Sequence, residues 1–268
     1  MKMYCISMKN SHLEIIKKLN YIPVGLGTAK FDKEWTTDNT GKNISFKNKF
    51  YGENTFHYWL WKNQLKDCFE KKWVGFCHYR RFWVKDPKVL NFEDLKTNII
   101  NKIPDDWNSY EVILGNEYLV NKTKISKIIK HGKKQLLKNP FVFFSKKKMT
   151  VKVHFDMYHG FGNLDKAIEL LDINDREDFR NYVNSAGSFN PFNMFFCKSY
   201  DLLNNYYSVL FNWLEKCESE FGFDETKDYG QIRIYAFLAE RFTSYWFEKN
   251  AKFKTMDITY YDIIKKIN

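Results

Sequence analysis

The stretch VGFCHYRRFW, residues 74 to 83, decides the fold class of this chain. Trp73 to Cys77 form a short apolar run that reads as a buried strand. The run stops abruptly at His78, Tyr79, Arg80 and Arg81. Two adjacent arginines at the mouth of a strand are costly to hold against a core, because a buried guanidinium has to be paired. Open α/β sheets bind ligands at the carboxyl ends of their strands, so an anionic ligand there would supply the partner. Arginine suits phosphate because its planar fork gives two parallel charge-assisted hydrogen bonds. The plainer alternative is a pair of solvated arginines beside a hairpin, since charged side chains are mostly exposed.

Outward from this stretch, strands alternate with helices. Residues 2 to 8 (KMYCISM) read as a first strand, and Ser11 is placed to cap a helix over 12 to 19. Residues 21 to 27 (YIPVGLG) give a second strand ending in glycine. Residues 28 to 50 are polar and read as a long loop, a length that is usually functional or disordered. A helix is expected over 53 to 70, with Phe56, Trp59 and Leu60 on one face. Asn63 falls on the same stripe, where a buried amide needs partners. Residues 110 to 115 (YEVILG) make another strand, ending in Gly115, Asn116 and Glu117. The stretch 120 to 150 is basic and irregular. Beyond it, helices are expected over 163 to 171, 175 to 183, 199 to 219 and 228 to 248, and 189 to 197 (FNPFNMFFC) reads as a loop entering a buried strand. This alternation argues for an α/β sheet. No internal repeat or flexible linker appears, which favours one continuous domain.

The 268 residues suffice for a sizeable core, and 44% hydrophobic residues exclude a disordered chain. Aromatics reach 19%; codon bias of an AT-rich genome accounts for much of this, and aromatic-walled sugar pockets are the functional alternative. The net charge of +11 favours an anionic partner: a nucleotide-linked substrate, nucleic acid or an acidic membrane face. The densest basic run is Lys146-Lys147-Lys148, with Lys130, Lys133, Lys134 and Lys138 upstream; a solvated face is the favoured reading, and a face near a membrane surface or a phosphate-bearing acceptor is the functional alternative. Five cysteines without metal-like or redox-like spacing argue for a reducing, cytoplasmic compartment. Met1 to Met8 lack the apolar stretch of a signal peptide, and no run approaches the ~18 apolar residues of a membrane span.

The motif order carries a resemblance. It runs Asp38-Asn39-Thr40-Gly41, Asn43-Ile44-Ser45, Tyr51, Glu53-Asn54-Thr55, Tyr58-Trp59-Leu60-Trp61-Lys62-Asn63, then Gly75-Phe76-Cys77-His78-Tyr79-Arg80-Arg81-Phe82. Phe192-Asn193-Met194-Phe195, Arg233 and Ala239-Glu240-Arg241-Phe242 follow in the second half. Together these blocks resemble a family of bacterial capsular-polysaccharide and lipopolysaccharide glycosyltransferases, long catalogued as a domain of unknown function. The resemblance implies a single Rossmann-like glycosyltransferase A-type α/β domain with a mixed central sheet and a helical C-terminal part. It implies a nucleotide-binding half over 1 to 118 and an acceptor-side half over 119 to 268. It also implies transfer of a hexosyl, galactofuranosyl or heptosyl unit from a UDP- or GDP-linked donor to a glycan or lipid-linked oligosaccharide, at the inner membrane face.

Such chemistry needs charge stabilisation on the leaving diphosphate and, if configuration inverts, a base. Many enzymes of this fold clamp the diphosphate with a metal held by an Asp-x-Asp turn, whereas here the strand runs into His78-Tyr79-Arg80-Arg81 without a carboxylate. The expectation is metal-independent catalysis, Arg80 or Arg81 replacing the metal's charge and His78 hydrogen-bonding phosphate or sugar. Manganese or magnesium held by Asp38, or by Asn116 with Glu117, is the alternative. Asp38, Asn43 and Ser45 are candidates for the nucleotide, with Asn63 closing that pocket; a plain turn is the other reading. Asn193 is a candidate sugar ligand. Arg233 and Glu240, seven apart on one helix face and next to Arg241, read as a bracing or structural ion pair. His159 and Asp156 are candidate bases, beside His78. The rivals are a basic single-strand nucleic-acid binder, against which the dispersed charge counts, and a catalytically inactive assembly member.

Overall fold

The computed structural model describes residues 1–69, 72–122 and 148–263. Its centre is a mixed sheet in the order β3-β2-β1-β4-β9-β6-β10. The strands are β1 (Lys2–Ser7), β2 (Ile22–Gly25), β3 (Thr36–Thr37), β4 (Val74–His78), β6 (Val112–Gly115), β9 (Phe195–Cys197) and β10 (Phe253–Met256). β3, β2, β1 and β4 are mutually parallel, with Cys5 opposite Cys77 and Ser7 opposite Gly25. β9 runs antiparallel between β4 and β6, so its amino end lies where its neighbours have their carboxyl ends. This reversal brings the residues just before β9 beside the ends of β1 and β4.

Alternation along the strands sorts the apolar side chains onto two faces. Tyr4, Ile6, Phe76, Val112, Leu114 and Phe195 join one core, and Met3, Cys5, Cys77, Ile113 and Phe196 the other. Both faces are covered, as parallel strands require. The larger core is closed by α3 (Asn54–Asn63), α9 (Tyr200–Phe221) and α11 (Ile234–Asn250); α1 (Leu13–Lys18) and α5 (Phe92–Asn98) lie over the smaller one. The remaining helices are α2 (Asn48–Tyr51), α4 (Leu65–Cys68), α6 (Val151–His159), α7 (Asn163–Glu169), α8 (Ile173–Ser185) and α10 (Tyr229–Ile232). A Cβ at Gly75 would overlap the Phe196 ring, so glycine is what lets β4 and β9 lie together.

Several expectations need correction. The helix read over 53 to 70 breaks at Gln64 into α3 and α4. Ser11 caps nothing with its side chain; it lies within a 3-10 turn, Asn10–His12, that leads into α1. The loop over 28 to 50 contains β3, a 3-10 turn at Ser45–Lys47 and the start of α2. The helix read over 228 to 248 is interrupted at Arg233. α6, β5 (Arg81–Trp83), the small pair β7 (Tyr118–Leu119) and β8 (Ser188–Phe189), β10 and β11 (Ile258–Tyr260) were not anticipated. β5 turns straight back on β4, pairing Arg81 with His78, and its other edge takes β11. Most of the basic stretch, including Lys130, Lys133, Lys134, Lys138, Lys146 and Lys147, lies outside the described residues. Among the described residues, no helix is long and apolar enough to cross a membrane.

Candidate functional site

A cavity of about 360 Å³ opens at the carboxyl edge of the sheet. Ser7 reaches it from the end of β1 and His78 from the end of β4, with Tyr79, Arg80 and Arg81 on the hairpin turn. Phe192 and Asn193 enter from the segment before β9, and Glu53 from the turn between α2 and α3. Tyr229 of α10, then Arg233, Phe237 and Glu240, close the far wall. His78, Arg80, Arg81, Asn193, Arg233 and Glu240 therefore share one cavity, although they come from distant parts of the chain.

The pairing of charges in this wall is uneven. Glu53 accepts from Asn193 Nδ2 at 2.7 Å and lies 3.4 Å from Arg233 Nη2. Burial pushes the Glu53 carboxyl up, but His78, Arg233 and the Asn193 amide together hold it below the usual carboxylate range. Glu240 accepts the Phe192 N–H at 2.6 Å and pairs with Arg241 behind it. The expected Arg233–Glu240 pair is thus replaced by two others, because Arg233 caps α11 and turns toward Glu53 while the adjacent Arg241 serves Glu240. Among the described residues, neither Arg80 nor Arg81 lies within ion-pair distance of a carboxylate. Arg80 rests 4.8 Å from the Tyr79 ring and Arg81 4.0 Å from the Phe192 ring. His78 is held neutral: burial lowers its pKa to about 4, Glu53 opposing and Arg81, Arg233 and Arg80 adding to the drop. Its Nε2 has no hydrogen-bond partner among the described residues.

Phe192 and Asn193 have φ of 80° and 50°, the left-handed region that non-glycine residues rarely enter. Consecutive residues held there are a mark of functional segments, and here both cavity glutamates do the holding.

The family described as a domain of unknown function, DUF4422, matches residues 2–251. The chain belongs to this family. Among solved structures, the DUF4422 chain is similar to the apo form of WbbM, a bifunctional glycosyltransferase. The identity is 21% and the TM-score 0.69, over 97% of this chain and 45% of that one. The chain thus spans just under half the length of that structure, and the likeness establishes a glycosyltransferase A-like α/β fold. None of the curated proteins matches significantly.

Other sequence candidates of this DUF4422 chain lie off the cavity wall. Asp38 is fully buried and accepts the Gly27 N–H at 2.8 Å; burial raises its pKa. Asn43 accepts from Ser45 Oγ at 2.8 Å, and Asn63 clasps Lys42 through both its N–H and its C=O. These side chains shape the loop between β3 and α2. His159 is buried, bonded to Gly230 O at 3.0 Å and stacked 3.9 Å from Phe237. Asp156 accepts from Lys152 and from the Gly162 N–H. His159 thus sits behind the helices that carry Tyr229 and Phe237, while Asp156 ties α6 to the turn before α7.

The donor set fits a divalent cation poorly. Among the described residues, no three His, Cys, Asp or Glu side chains converge as metal ligands. The two cavity carboxylates are already engaged by arginines and N–H donors. Asn116 donates to Asp257 at 2.5 Å and Glu117 accepts from Ser188 at 2.7 Å, neither facing the cavity. Sequence reasoning passed over Glu53, Phe192 and Tyr229 as site residues. Glu53 and Phe192 stand in the motif blocks, but no role was attached to either there.

Proposed function

We propose that this protein is a glycosyltransferase that moves a hexosyl, galactofuranosyl or heptosyl unit from a UDP- or GDP-linked sugar to a capsular or lipopolysaccharide-type glycan. The observation that carries the reading is Arg80 and Arg81, half-buried at a cavity at the sheet's carboxyl edge with no carboxylate of the described residues within ion-pair distance. A diphosphate supplies the missing charge. As the glycosidic bond to the donor breaks, negative charge grows on the leaving diphosphate, and two guanidinium forks already in place stabilise it without reorganisation.

The acceptor proton needs a base. Glu53 is held as a carboxylate by Arg233 and Asn193, which orients it but weakens it as a base. His78 is neutral and its Nε2 is free, so it can accept a proton; a bound diphosphate would raise its pKa toward neutrality. In this reading His78 is the base, Asn193 and Glu53 hold sugar hydroxyls in line, and His159 and Asp156 brace the far wall. Arginine charge takes the place of a metal, so chelator is expected to leave transfer intact; abolition by EDTA with recovery on manganese would reverse that assignment. The acceptor is lipid-linked and the chain works as a soluble or peripheral protein on the cytoplasmic face. The net charge of +11 suits an anionic surface and a phosphate-bearing substrate alike.

The test is thermal stabilisation by UDP-, GDP-, CMP- and dTDP-sugars, followed by a transfer assay with the class that binds. A ligand at ~100 times its dissociation constant adds about 2.7 kcal/mol. A shift for one class, lost in Arg80→Ala and Arg81→Ala, supports the donor site. No shift from any class, with salt-sensitive oligonucleotide binding instead, would favour a nucleic-acid binder.

A further inference from the structure

Arg81 has no ion-pair partner among the described residues, yet it is not free to swing. Its guanidinium lies 4.0 Å from the centroid of the Phe192 ring, with the Tyr260 ring 5.9 Å away. An aromatic face attracts a guanidinium and restricts its plane while leaving its N–H donors pointing outward. Phe192 is itself held in an unusual way. Its φ of 80° is unfavourable for any residue with a Cβ, and its N–H is fixed by Glu240 Oε1 at 2.6 Å. Glu240 in turn is anchored from behind by Arg241, whose guanidinium lies 4.0 Å from the Phe189 ring. A buried carboxylate, a strained backbone and an aromatic face thus form one chain of contacts that ends at Arg81.

We infer that Phe192 is a positioning residue that sets the Arg81 guanidinium for a diphosphate, and that Glu240 acts through Phe192 by fixing its backbone. The inference rests on the donor-site reading above. It explains why a non-glycine residue is kept in the left-handed region here: glycine would relieve the strain but remove the ring. It also explains a glutamate at the cavity wall whose two oxygens are both turned to protein groups and not to a ligand.

The experiment is a double-mutant cycle read by calorimetric binding of inorganic pyrophosphate. Phe192→Leu keeps bulk and backbone strain but removes the aromatic face. It is expected to weaken binding roughly three- to thirtyfold. In an Arg81→Ala background the same change should have no further effect, because the residue it positions is gone. Phe192→Tyr should restore wild-type affinity. Glu240→Leu, which removes the acceptor for the Phe192 N–H, should match Phe192→Leu. If Glu240→Leu fails to fold, the Phe192 cycle still decides. Losses that multiply in the double variant, or an unaltered Phe192→Leu, would overturn the positioning role while leaving the anion site standing. Failure of the wild-type protein to bind pyrophosphate would remove the donor-site reading itself.

Discussion

Arg81 and Arg241 stand in opposite relations to their surroundings, and stability should report it. Arg241 is 2% exposed and paired with Glu240, whose own pKa is raised by burial. Removing one member of a buried pair leaves the other uncompensated, so Arg241→Leu is expected to lose about 3–5 kcal/mol in urea unfolding. Arg81 is half-buried, and burial followed by the nearby Arg80 lowers its pKa, so its charge is a liability in the free protein. Arg81→Leu should therefore unfold at the same or a higher urea concentration than wild type, while nucleotide binding is lost. A loss comparable to that of Arg241→Leu would make Arg81 a structural residue. At this scale the arginine pair was legible because two charges ending an apolar run break the burial rule. Glu53 was not, because a glutamate in the first turn of a helix already has a sufficient local reason to be there.

At the scale of elements, the turn between α2 and α3 joins fold to site. Gly52 has φ 56° and ψ −135°, a region open to glycine only, and a Cβ there would overlap the Arg233 guanidinium. Gly222 at the end of α9 has nearly the same backbone, φ 61° and ψ −159°, with nothing within 4 Å of a Cβ. Alanine at either position should cost about 1–3 kcal/mol through strain alone. Only Gly52→Ala should also push Arg233 away from Glu53 and weaken donor binding. Equal binding by the two variants would separate the Glu53–Arg233 pair from ligand recognition. The helices α9 and α11 were readable as long helices, although α11 is buried on every side from Leu238 to Phe247, and the apolar runs of β1, β4 and β6 were readable as strands. The break at Gln64 was not, because it depends on Asn63 turning to Lys42 and Trp59 reaching Thr40, contacts made with a distant loop. β5, β10 and β11 escaped because Arg81, Lys254, Thr255 and Thr259 interrupt three- or four-residue segments that then show neither an apolar run nor a full alternation.

For the molecule as a whole, the histidines set the response to acid. All five described histidines have pKa values below the ordinary 6.5, burial being the leading cause in each. His57 and His154 are pushed to about 3 and His78 to about 4, and His159 lies well below its usual value. Above pH 6.5 these groups are neutral whether folded or unfolded, and they contribute nothing to the pH dependence. As pH falls below 6.5 the unfolded chain takes up protons that the folded chain refuses, and stability declines until the folded values are reached near pH 3–4. Glu53, held low, adds to the loss at the acid end. Asp38, Asp156 and Glu240 are raised and act in the opposite sense, as does Glu248, raised to about 7; Glu248 is solvent-exposed, so its contribution is small. Each refused proton is worth up to about 1.4 kcal/mol per pH unit. The midpoint of thermal unfolding should therefore drop steeply between pH 6.5 and 4.5 and stay level from 6.5 to 8. His57→Gln, which keeps a polar partner for the Tyr207 hydroxyl, should flatten that slope by about one proton. A profile that is level down to pH 4.5 would mean that these rings take up protons in the folded state as easily as in the unfolded one, and His78 would then be cationic at the acid limit and unable to serve as base.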